Sequence, residues 1–353
     1  MSQLHYPIDE LPQPGEKLCI APGVYWLRFP LPFALDHINL WLLEEIDGWT
    51  LVDTGIGLDE TRALWRELFA SQLEGKPLLR ILVTHFHPDH FGLAGWLQAE
   101  TGATVSISAA EYAKAQGVCE LSDAQAGRAL AELFRRHGLD EPRAAQIEQR
   151  GNRYRHIVPS LPQPVETLVD GQRIDIGGKS WQVVVGRGHA PEQATLHCAE
   201  LGLLISGDQV LPRISSNVSV YPGEEGGDPL GDYLESLDRF AELPADTRVL
   251  PSHGRVFEGL RPRLAELREH HRERLDELLA ACDAPRSAAE LLPTLFRREL
   301  DVHQLGFAMG EAIAHLIYLQ RRGELRAECG EDGVIRYQRG AGAAAAVGGQ
   351  SSA

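Results

Sequence analysis

The segment from Thr84 to His90 concentrates side chains that can bind metal ions: His85, His87, Asp89 and His90. It follows a short apolar run, so we expect it where a strand ends and a loop begins. Side chains alternate along an extended chain, which would point His85 and His87 to the same side. A turn at the intervening proline would return Asp89 and His90 towards them. The spacing therefore predicts two imidazoles for one cation, and a carboxylate with an imidazole for a second cation.

Two cations need more ligands than this segment supplies. Three further candidates each follow a short apolar run: His189, Asp208 and His253. We expect them at strand ends, where they would meet the histidine segment at one edge of the fold. Imidazole and carboxylate ligands suit Zn²⁺, and Mn²⁺ or Fe also accept them. For each residue alone the alternative is a capping or hydrogen-bonding role, and for the whole cluster it is a polar loop.

The elements that position these residues follow a repeated order of strands and then a helix. Apolar runs punctuated by turn residues predict strands in six stretches: 17–29, 36–55, 78–85, 104–108, 166–211 and 248–254. Helical spacing of apolar residues predicts helices in four others: 57–73, 91–103, 108–150 and 228–244. This order predicts an α/β fold in which two sheets pack face to face with helices outside, an αββα sandwich.

The C-terminal region has the pattern of a different module. Residues 259–281 have the spacing of a long amphipathic helix, and two more helices and two short strands follow. Three helices and a hairpin in this order predict a winged helix-turn-helix. The domains that we predict are as follows: a catalytic domain over 1–258 with a helical insert at about 108–160, a winged-helix-like domain over 259–339, and a low-complexity, disordered tail over 340–353.

Composition limits the classes of partner. Acidic residues outnumber basic ones by 50 to 34, which gives a net charge of −16. A surface this acidic repels nucleic acid and anionic lipid. The sequence shows neither an apolar run that could span a bilayer nor a signal-peptide pattern. Its five scattered cysteines fit a reducing compartment. We therefore expect a cytoplasmic protein with no membrane or nucleic-acid partner.

Taken together, the motifs resemble the metallo-β-lactamase fold superfamily. The histidine segment contains HFHPDH, LVDTG precedes it, and GHAPEQ, SGDQV and PSHG follow in order within residues 17–258. The resemblance implies a dinuclear site with these ligands: His85, His87 and His189 for the first metal, Asp89, His90 and His253 for the second, and Asp208 bridging both. His87 stands where the oxygen-reducing di-iron branch has Glu, which argues for a hydrolase.

Asp53, in the LVDTG motif, resembles the family's buried acid that orients the histidine segment. Ligating histidines need such support, because the second ring nitrogen or the adjoining backbone must be held in place. A simple turn aspartate before Thr54 and Gly55 is the alternative interpretation.

The predicted chemistry is hydrolysis with two Zn²⁺ ions as cofactors. Two cations close together lower the pKa of a bridging water, so that hydroxide is available to attack an acyl or phosphoryl centre. One metal would polarise the substrate oxygen, while Asp89 and Asp208 act as the catalytic residues that position the nucleophile. A thioester suits this site because its thiolate leaves with little protonation. We therefore predict a small-molecule acyl substrate, a thioester of the acyl-CoA or acyl-carrier-protein type.

The C-terminal region indicates which branch of the superfamily the chain resembles. A core of this kind followed by a winged helix resembles the branch of the β-lactamase-like endoribonuclease and the carrier-protein thioesterases. Residues 271–339 carry 12 acidic and 10 basic residues, and the candidate recognition helix is mostly apolar, which argues against DNA. We favour a packing or homodimerisation module. For the whole chain, the alternatives to a thioesterase are a metal-dependent endoribonuclease or phosphodiesterase, a mononuclear iron sulfur dioxygenase, and a DNA-binding regulator.

The loop after Asp208 carries three candidates for contact with substrate: Arg213, Ser216 and Asn217. Its position after a ligand predicts that it lines the mouth of the pocket. An ordinary surface loop with turn-forming residues is the alternative.

Overall fold

The computed structural model describes residues 4–340, and this part of the chain divides into two compact units. The first unit holds the residues up to 121, 152–216 and 236–266. The second holds 122–151, 217–235 and the residues from 267 onward. The predicted tail, 340–353, lies outside the described residues apart from Gly340. The domain boundary that we drew at residue 258 stays a prediction.

Seven strands of the described chain form the first sheet, in sequential order. The pairs from β1 to β4 are antiparallel, and those from β4 to β7 are parallel. The strands are Leu18–Ala21 (β1), Val24–Pro30 (β2), His37–Glu44 (β3), Trp49–Val52 (β4), Leu78–Leu82 (β5), Thr104–Ser108 (β6) and Val165–Leu168 (β7). A turn at Asp47 and Gly48 joins β3 to β4 as a hairpin.

A second sheet of five described strands has the order β12-β11-β10-β9-β8. Its strands are Arg173–Ile176 (β8), Lys179–Gly186 (β9), Gln193–Cys198 (β10), Leu203–Gly207 (β11) and Arg248–Pro251 (β12). The pairing of β11 with β12 is parallel, so their C-terminal ends lie at the same edge.

Helices cover the outer faces of both sheets within the first unit. These helices include Asp59–Ser71 (α1), Pro88–Phe91 (α2), Ala94–Thr101 (α3), Ala109–Glu120 (α4) and Arg153–Ile157 (α7). Trp65 of α1 and Leu97 of α3 are fully buried in a core against the first sheet. On the second sheet, the guanidinium of Arg239 donates to the carbonyl of Val185 at 2.9 Å. Arg239 belongs to the helix Pro229–Ala241 (α8).

A second core fills the space between the two sheets. Trp26 and Trp41 from the first sheet and Trp181 from the second are at most 1 % exposed there. An aromatic ring of this size removes about 200 Å² from water, which is worth about 5 kcal/mol before the cost of ordering the chain. Two sheets that share this core, with helices outside each, confirm the predicted αββα sandwich.

The second unit is helical, with one hairpin. Its elements include Asp123–Arg136 (α5), Glu141–Gln149 (α6), Ala288–Leu295 (α10), Val302–Arg321 (α11), Leu325–Cys329 (β13) and Ile335–Arg339 (β14). The helix Leu260–Ala281 (α9) belongs to this unit from Leu267 onward. The amide of Ala289 donates to the carbonyl of His137 at 3.1 Å, so part of the predicted insert packs with the C-terminal helices. The helices and hairpin occur in the predicted order, and the winged-helix assignment stays a prediction.

Every helix within residues 4–340 is too short or too polar to cross a lipid bilayer.

Candidate metal centre

The side chains predicted as ligands meet at one edge of the first unit. The strand β5 leads into the loop with His85 and His87, and α2 begins directly afterwards with a proline in its first turn. The other sheet supplies three side chains from three strand ends: His189 after β9, Asp208 after β11 and His253 after β12. Because β11 and β12 are parallel, the last two residues emerge at the same edge.

Gly207 allows the chain to turn sharply just before Asp208. Its φ of +54° lies in the left-handed region, and a Cβ atom at this position would lie 2.4 Å from Nε2 of Gln193. A larger residue would therefore displace Gln193 or the backbone just before Asp208.

Three imidazole nitrogens form the first group. Nε2 of His85 lies 2.9 Å from Nδ1 of His87, which lies 3.0 Å from Nε2 of His189. The third side of this triangle, from His189 to His85, is 3.2 Å. Burial lowers the pKa of His85 well below its ordinary value and that of His87 to about 3. Both rings are therefore neutral at physiological pH and keep a lone pair for a metal ion.

Asp89, His90 and His253 form the second group. Oδ2 of Asp89 lies 3.4 Å from Nε2 of His253 and 3.7 Å from Nε2 of His90. Asp208 lies between the two groups. Its Oδ1 is 3.3 Å from Nε2 of His253 and 3.5 Å from Nε2 of His90, and its Oδ2 is 3.5 Å from Nε2 of His189.

Charge divides the centre into a neutral half and an ionic half. Burial would raise the pKa of Asp208, but His253 and His90 more than offset it and hold that pKa well below the ordinary value. Burial would likewise lower the pKa of His90 and of His253, but the neighbouring carboxylates raise both. Without a metal ion, the two histidines carry protons that a bound cation would displace.

The donor set fits divalent cations. Atoms about 2.0–2.2 Å from one tetrahedral metal lie about 3.3–3.6 Å from one another, close to the spacings found in both groups. Nε2 of His90 and Oδ1 of Asp208 are buried and have no hydrogen-bond partner among the described residues. Buried polar atoms without partners are costly, and a cation would satisfy both. The described residues could therefore hold metal at two adjacent positions.

Asp53 fixes the orientation of the histidine segment. It follows β4, the parallel neighbour of β5, so its carboxylate reaches the start of the histidine loop. Oδ1 accepts from the amide of Thr84 at 2.7 Å, and Oδ2 accepts from the Thr84 hydroxyl at 2.8 Å and from Nδ1 of His90 at 2.7 Å. Because that hydroxyl proton goes to Asp53, the hydroxyl oxygen accepts from Nδ1 of His85 at 2.9 Å. Both rings then present Nε2 to the centre.

His37, which no sequence pattern predicted, orients the ring of His253 in the same way. Its backbone carbonyl accepts from Nδ1 of His253 at 2.8 Å, which leaves Nε2 of His253 for the centre. The ring of His37 accepts from the amide of Gly254 at 2.8 Å and lies 2.6 Å from Oδ1 of Asp36. A histidine at the first position of a strand has no sequence feature that would predict this role.

Glu111 is a second support that sequence patterns did not reveal. Its Oε2 accepts from the amide of Phe86 at 3.0 Å, and its Oε1 accepts from the amide of Glu192 at 2.6 Å. This carboxyl thus ties the loop of His85 and His87 to the loop after His189. Burial raises the pKa of Glu111 to about 7, although both amides favour the ionised form.

The three residues predicted to contact substrate have different surroundings. Arg213 is exposed, and its guanidinium lies 5.9 Å from the ring centre of Tyr6. Ser216 is buried, and its hydroxyl donates to the backbone carbonyl of Asp208, so it supports the ligand loop instead of facing solvent. Asn217 belongs to the second unit, where its amide lies 3.5 Å from Oε2 of Glu311.

Comparison with known proteins assigns the chain to a family. Residues 34–253 match the Metallo-beta-lactamase superfamily, and 275–340 match the Metallo-beta-lactamase-like, C-terminal domain. A beta-lactamase domain protein from Burkholderia ambifaria has 48 % identity and a TM-score of 0.89, covering 95 % of this chain and 98 % of its own.

Two curated relatives are more distant. The probable metallo-hydrolase YqjP of Bacillus subtilis is 26 % identical over 83 % of this chain and 91 % of its own length. The acyl-coenzyme A thioesterase MBLAC2 of Homo sapiens is 27 % identical over 67 % of this chain and 80 % of its own length. The chain belongs to the metallo-β-lactamase superfamily. Within it, the chain is a hydrolase with the C-terminal domain that accompanies this core.

Proposed function

We propose that this hydrolase uses two zinc ions to cleave an acyl thioester. The observation that carries the proposal is the position of Asp208, whose two carboxylate oxygens face different ligand groups. A carboxylate shared in this way keeps two cations close enough to act on one substrate. The first cation would be held by His85, His87 and His189, and the second by Asp89, His90 and His253.

When bound, the cations would supply Lewis acidity, polarise the substrate carbonyl and make water acidic enough to react near neutral pH. The chain itself supplies the means to hold that water. Asp89 is the more accessible carboxylate, with 19 % of its side chain exposed against 11 % for Asp208. The low pKa of each keeps both ionised, so their oxygens can accept hydrogen bonds from a water molecule and orient it.

A thioester matches what the centre provides. A thiol has an ordinary pKa near about 8.5, far below that of an alcohol or an amine, so it departs as thiolate without a proton donor. Each ligand nitrogen, which is Nδ1 in His87 and Nε2 in the other four histidines, would have no proton to give once it binds a metal ion. The name of the human relative, an acyl-coenzyme A thioesterase, supports the same substrate class.

A substrate panel tests the proposal. The protein is prepared with zinc, manganese or iron and assayed with an acyl-CoA, a lactone, a β-lactam and a phosphodiester. We expect the acyl-CoA to be hydrolysed with the highest kcat/KM and the zinc form to be the most active. Preferred cleavage of the phosphodiester, or of the lactone, would replace the proposal with the corresponding hydrolase.

A further inference from the structure

Arginines surround the loop that follows His253, beside the candidate metal centre. Arg28 of β2 donates from its guanidinium to the carbonyl of Gly254 at 3.1 Å. Arg255 is the next residue of the same loop. Arg213 belongs to the loop that follows Asp208 and is the only one of the three that is exposed.

Arg213 lies on the loop after Asp208, and Arg255 lies on the loop after His253. Both arginines lie near the same aromatic ring. Their guanidinium carbons lie 5.9 and 5.7 Å from the ring centre of Tyr6. The loops touch at Gly254, where a Cβ atom would lie 2.6 Å from Cγ of Pro212. Gly254 has a φ of +89°, so both its conformation and its close packing require glycine. The arginines are therefore attached to the same loops that carry Asp208 and His253.

Few carboxylates balance this positive charge. Arg213 forms no hydrogen bond or ion pair with any described residue beyond its contact with the Tyr6 ring. Among the described residues, the carboxylate partner of Arg255 is Asp9, at 3.7 Å, and the Asp9 side chain is fully exposed. Arg255 also donates to the backbone carbonyl of Ile8, which carries no charge. The Nε atom of Arg255 is buried and has no hydrogen-bond partner in residues 4–340.

A further acid, Asp36, has a hydrogen-bond partner of its own. Asp36, which faces Arg28, is held by the ring of His37 at 2.6 Å. Like charges in one neighbourhood repel one another, and a bound anion would relieve this repulsion. The chain as a whole has a net charge of −16, so a group of arginines with few carboxylate partners is unusual in it.

We propose that Arg28, Arg213 and Arg255 form an anion-binding site that holds the phosphate of a thioester's pantetheine arm. The inference rests on the proposed thioesterase function. Each guanidinium has five N–H donors in a planar fork that matches phosphate, and only part of this capacity is used within the chain. The acyl part of a thioester has no anionic group, so the phosphate must belong to the thiol side. Coenzyme A and the prosthetic arm of a carrier protein share this chemistry.

The test compares substrates that carry the same acyl group on three thiols. Butanoyl-CoA has several phosphates, butanoyl-4′-phosphopantetheine has one, and butanoyl-pantetheine has none. Each is assayed with the zinc-loaded wild-type protein and with R213Q, which removes an exposed charge and opens no cavity. R66Q is the matched control, because Arg66 is also exposed and lies 5.6 Å from the ring centre of Trp96.

We expect R213Q to raise the KM for butanoyl-CoA by about tenfold, since hydrogen bonds to charged groups are of that strength. Its kcat, and its kinetics with butanoyl-pantetheine, should stay within about twofold of wild type, and R66Q should match wild type throughout. If wild-type protein processes the phosphorylated and unphosphorylated thioesters equally well, or R213Q and R66Q behave alike, the anion site is refuted.

The kinetics with butanoyl-4′-phosphopantetheine distinguish the two sources of the phosphate, coenzyme A and a carrier protein. A KM equal to that of butanoyl-CoA favours a carrier-protein arm, and a higher one favours coenzyme A.

A binding experiment separates this inference from the proposed function. Adenosine 3′,5′-bisphosphate, which has neither thioester nor thiol, is titrated calorimetrically into the same three zinc-loaded proteins. Any contact of this probe with metal is common to all three, so a difference between R213Q and R66Q reports the arginine. About tenfold weaker binding to R213Q alone would support the anion site even if no thioester were cleaved. Equal binding to all three would overturn it.

Discussion

Oδ2 of Asp53 lies 2.7 Å from Nδ1 of His90, and this hydrogen bond decides which ring nitrogen of His90 faces the metal centre. Asp53 has a φ of +62°, in the left-handed region that few residues other than glycine adopt. Aspartate and asparagine tolerate this conformation better than other side chains. The backbone strain and the buried carboxylate thus occur at one position, as expected where a structure is organised around a functional group.

Replacing Asp53 with asparagine should weaken metal binding without unfolding the protein. D53N keeps the shape and the tolerance of positive φ, but its amide cannot accept all three hydrogen bonds that reach the carboxylate. Loss of such support to a ligating histidine typically lowers metal affinity by about 10- to 100-fold. Competition with a chromophoric chelator measures the affinity. D246N, at an exposed aspartate, should match wild type, and an unchanged affinity in D53N would show that Asp53 does not orient the ligands.

Replacing His87 or Asp208 with alanine should abolish turnover and reduce bound metal. Each variant removes a donor atom that lies between other donors, and D208A removes one from both groups. We expect about two equivalents of metal in the wild-type protein and one or fewer in D208A, measured by plasma mass spectrometry. H156A, at an exposed histidine, serves as the control. Less than one equivalent in the wild-type protein would contradict the dinuclear centre.

Glu111 should matter for metal affinity although its carboxylate accepts hydrogen bonds from backbone amides and not from ligand side chains. In E111Q one oxygen acceptor is replaced by an NH2 group, so an amide of Phe86 or Glu192 loses its partner. The two ligand loops would then be less firmly connected, and we expect metal affinity to fall by about tenfold. E120Q, at an exposed glutamate of the same helix, should have no effect. Comparable metal affinities in the two variants would assign Glu111 to stability alone.

Glu311 of the second unit should make stability depend on pH. Burial raises its pKa from 4.5 to about 7. Between these values the folded chain holds a proton that the unfolded chain releases, so the free energy of unfolding falls as the pH rises. E311Q removes this penalty and should be more stable than wild type by up to about 3 kcal/mol at pH 8, with little difference at pH 4.5.

Urea unfolding at a series of pH values measures the effect of Glu311. E331Q alters an exposed glutamate of the same unit and should follow the wild-type curve. A constant difference between E311Q and wild type from pH 4.5 to 8 would show that Glu311 does not titrate in this window.

The meeting of the candidate ligand side chains at one edge could be foreseen from sequence, because residue types show which side chains can bind metal. Three histidines and an aspartate within six residues are rare enough to suggest metal, and strand ends brought the distant candidates to the same edge. Glu111 and His37 could not be foreseen, because their partners are backbone groups far away in the chain. Such contacts depend on which loops touch, and residue type carries no information on that.

The division into compact units was equally hidden. The helices α5 and α6 are amphipathic like any surface helix, so nothing in their sequence shows which core they cover. Gly138 has a φ of +88° and would clash with Ser287 if it carried a Cβ atom. That close approach joins residues about 150 positions apart, which periodicity within one helix cannot reveal.

The indoles of Trp26 and Trp41 stack with ring centres 6.0 Å apart, and neither ring nitrogen has a hydrogen-bond partner among the described residues. These rings therefore contribute to the core by burial and packing and not by hydrogen bonds. One sheet carries the histidine loop and the other carries His189, Asp208 and His253, so the bulk between the sheets sets the reach across which the donors must meet. The two tryptophans therefore set the separation of the two sheets. A smaller residue at either position would change the distances between the candidate ligand atoms, although it lies away from them.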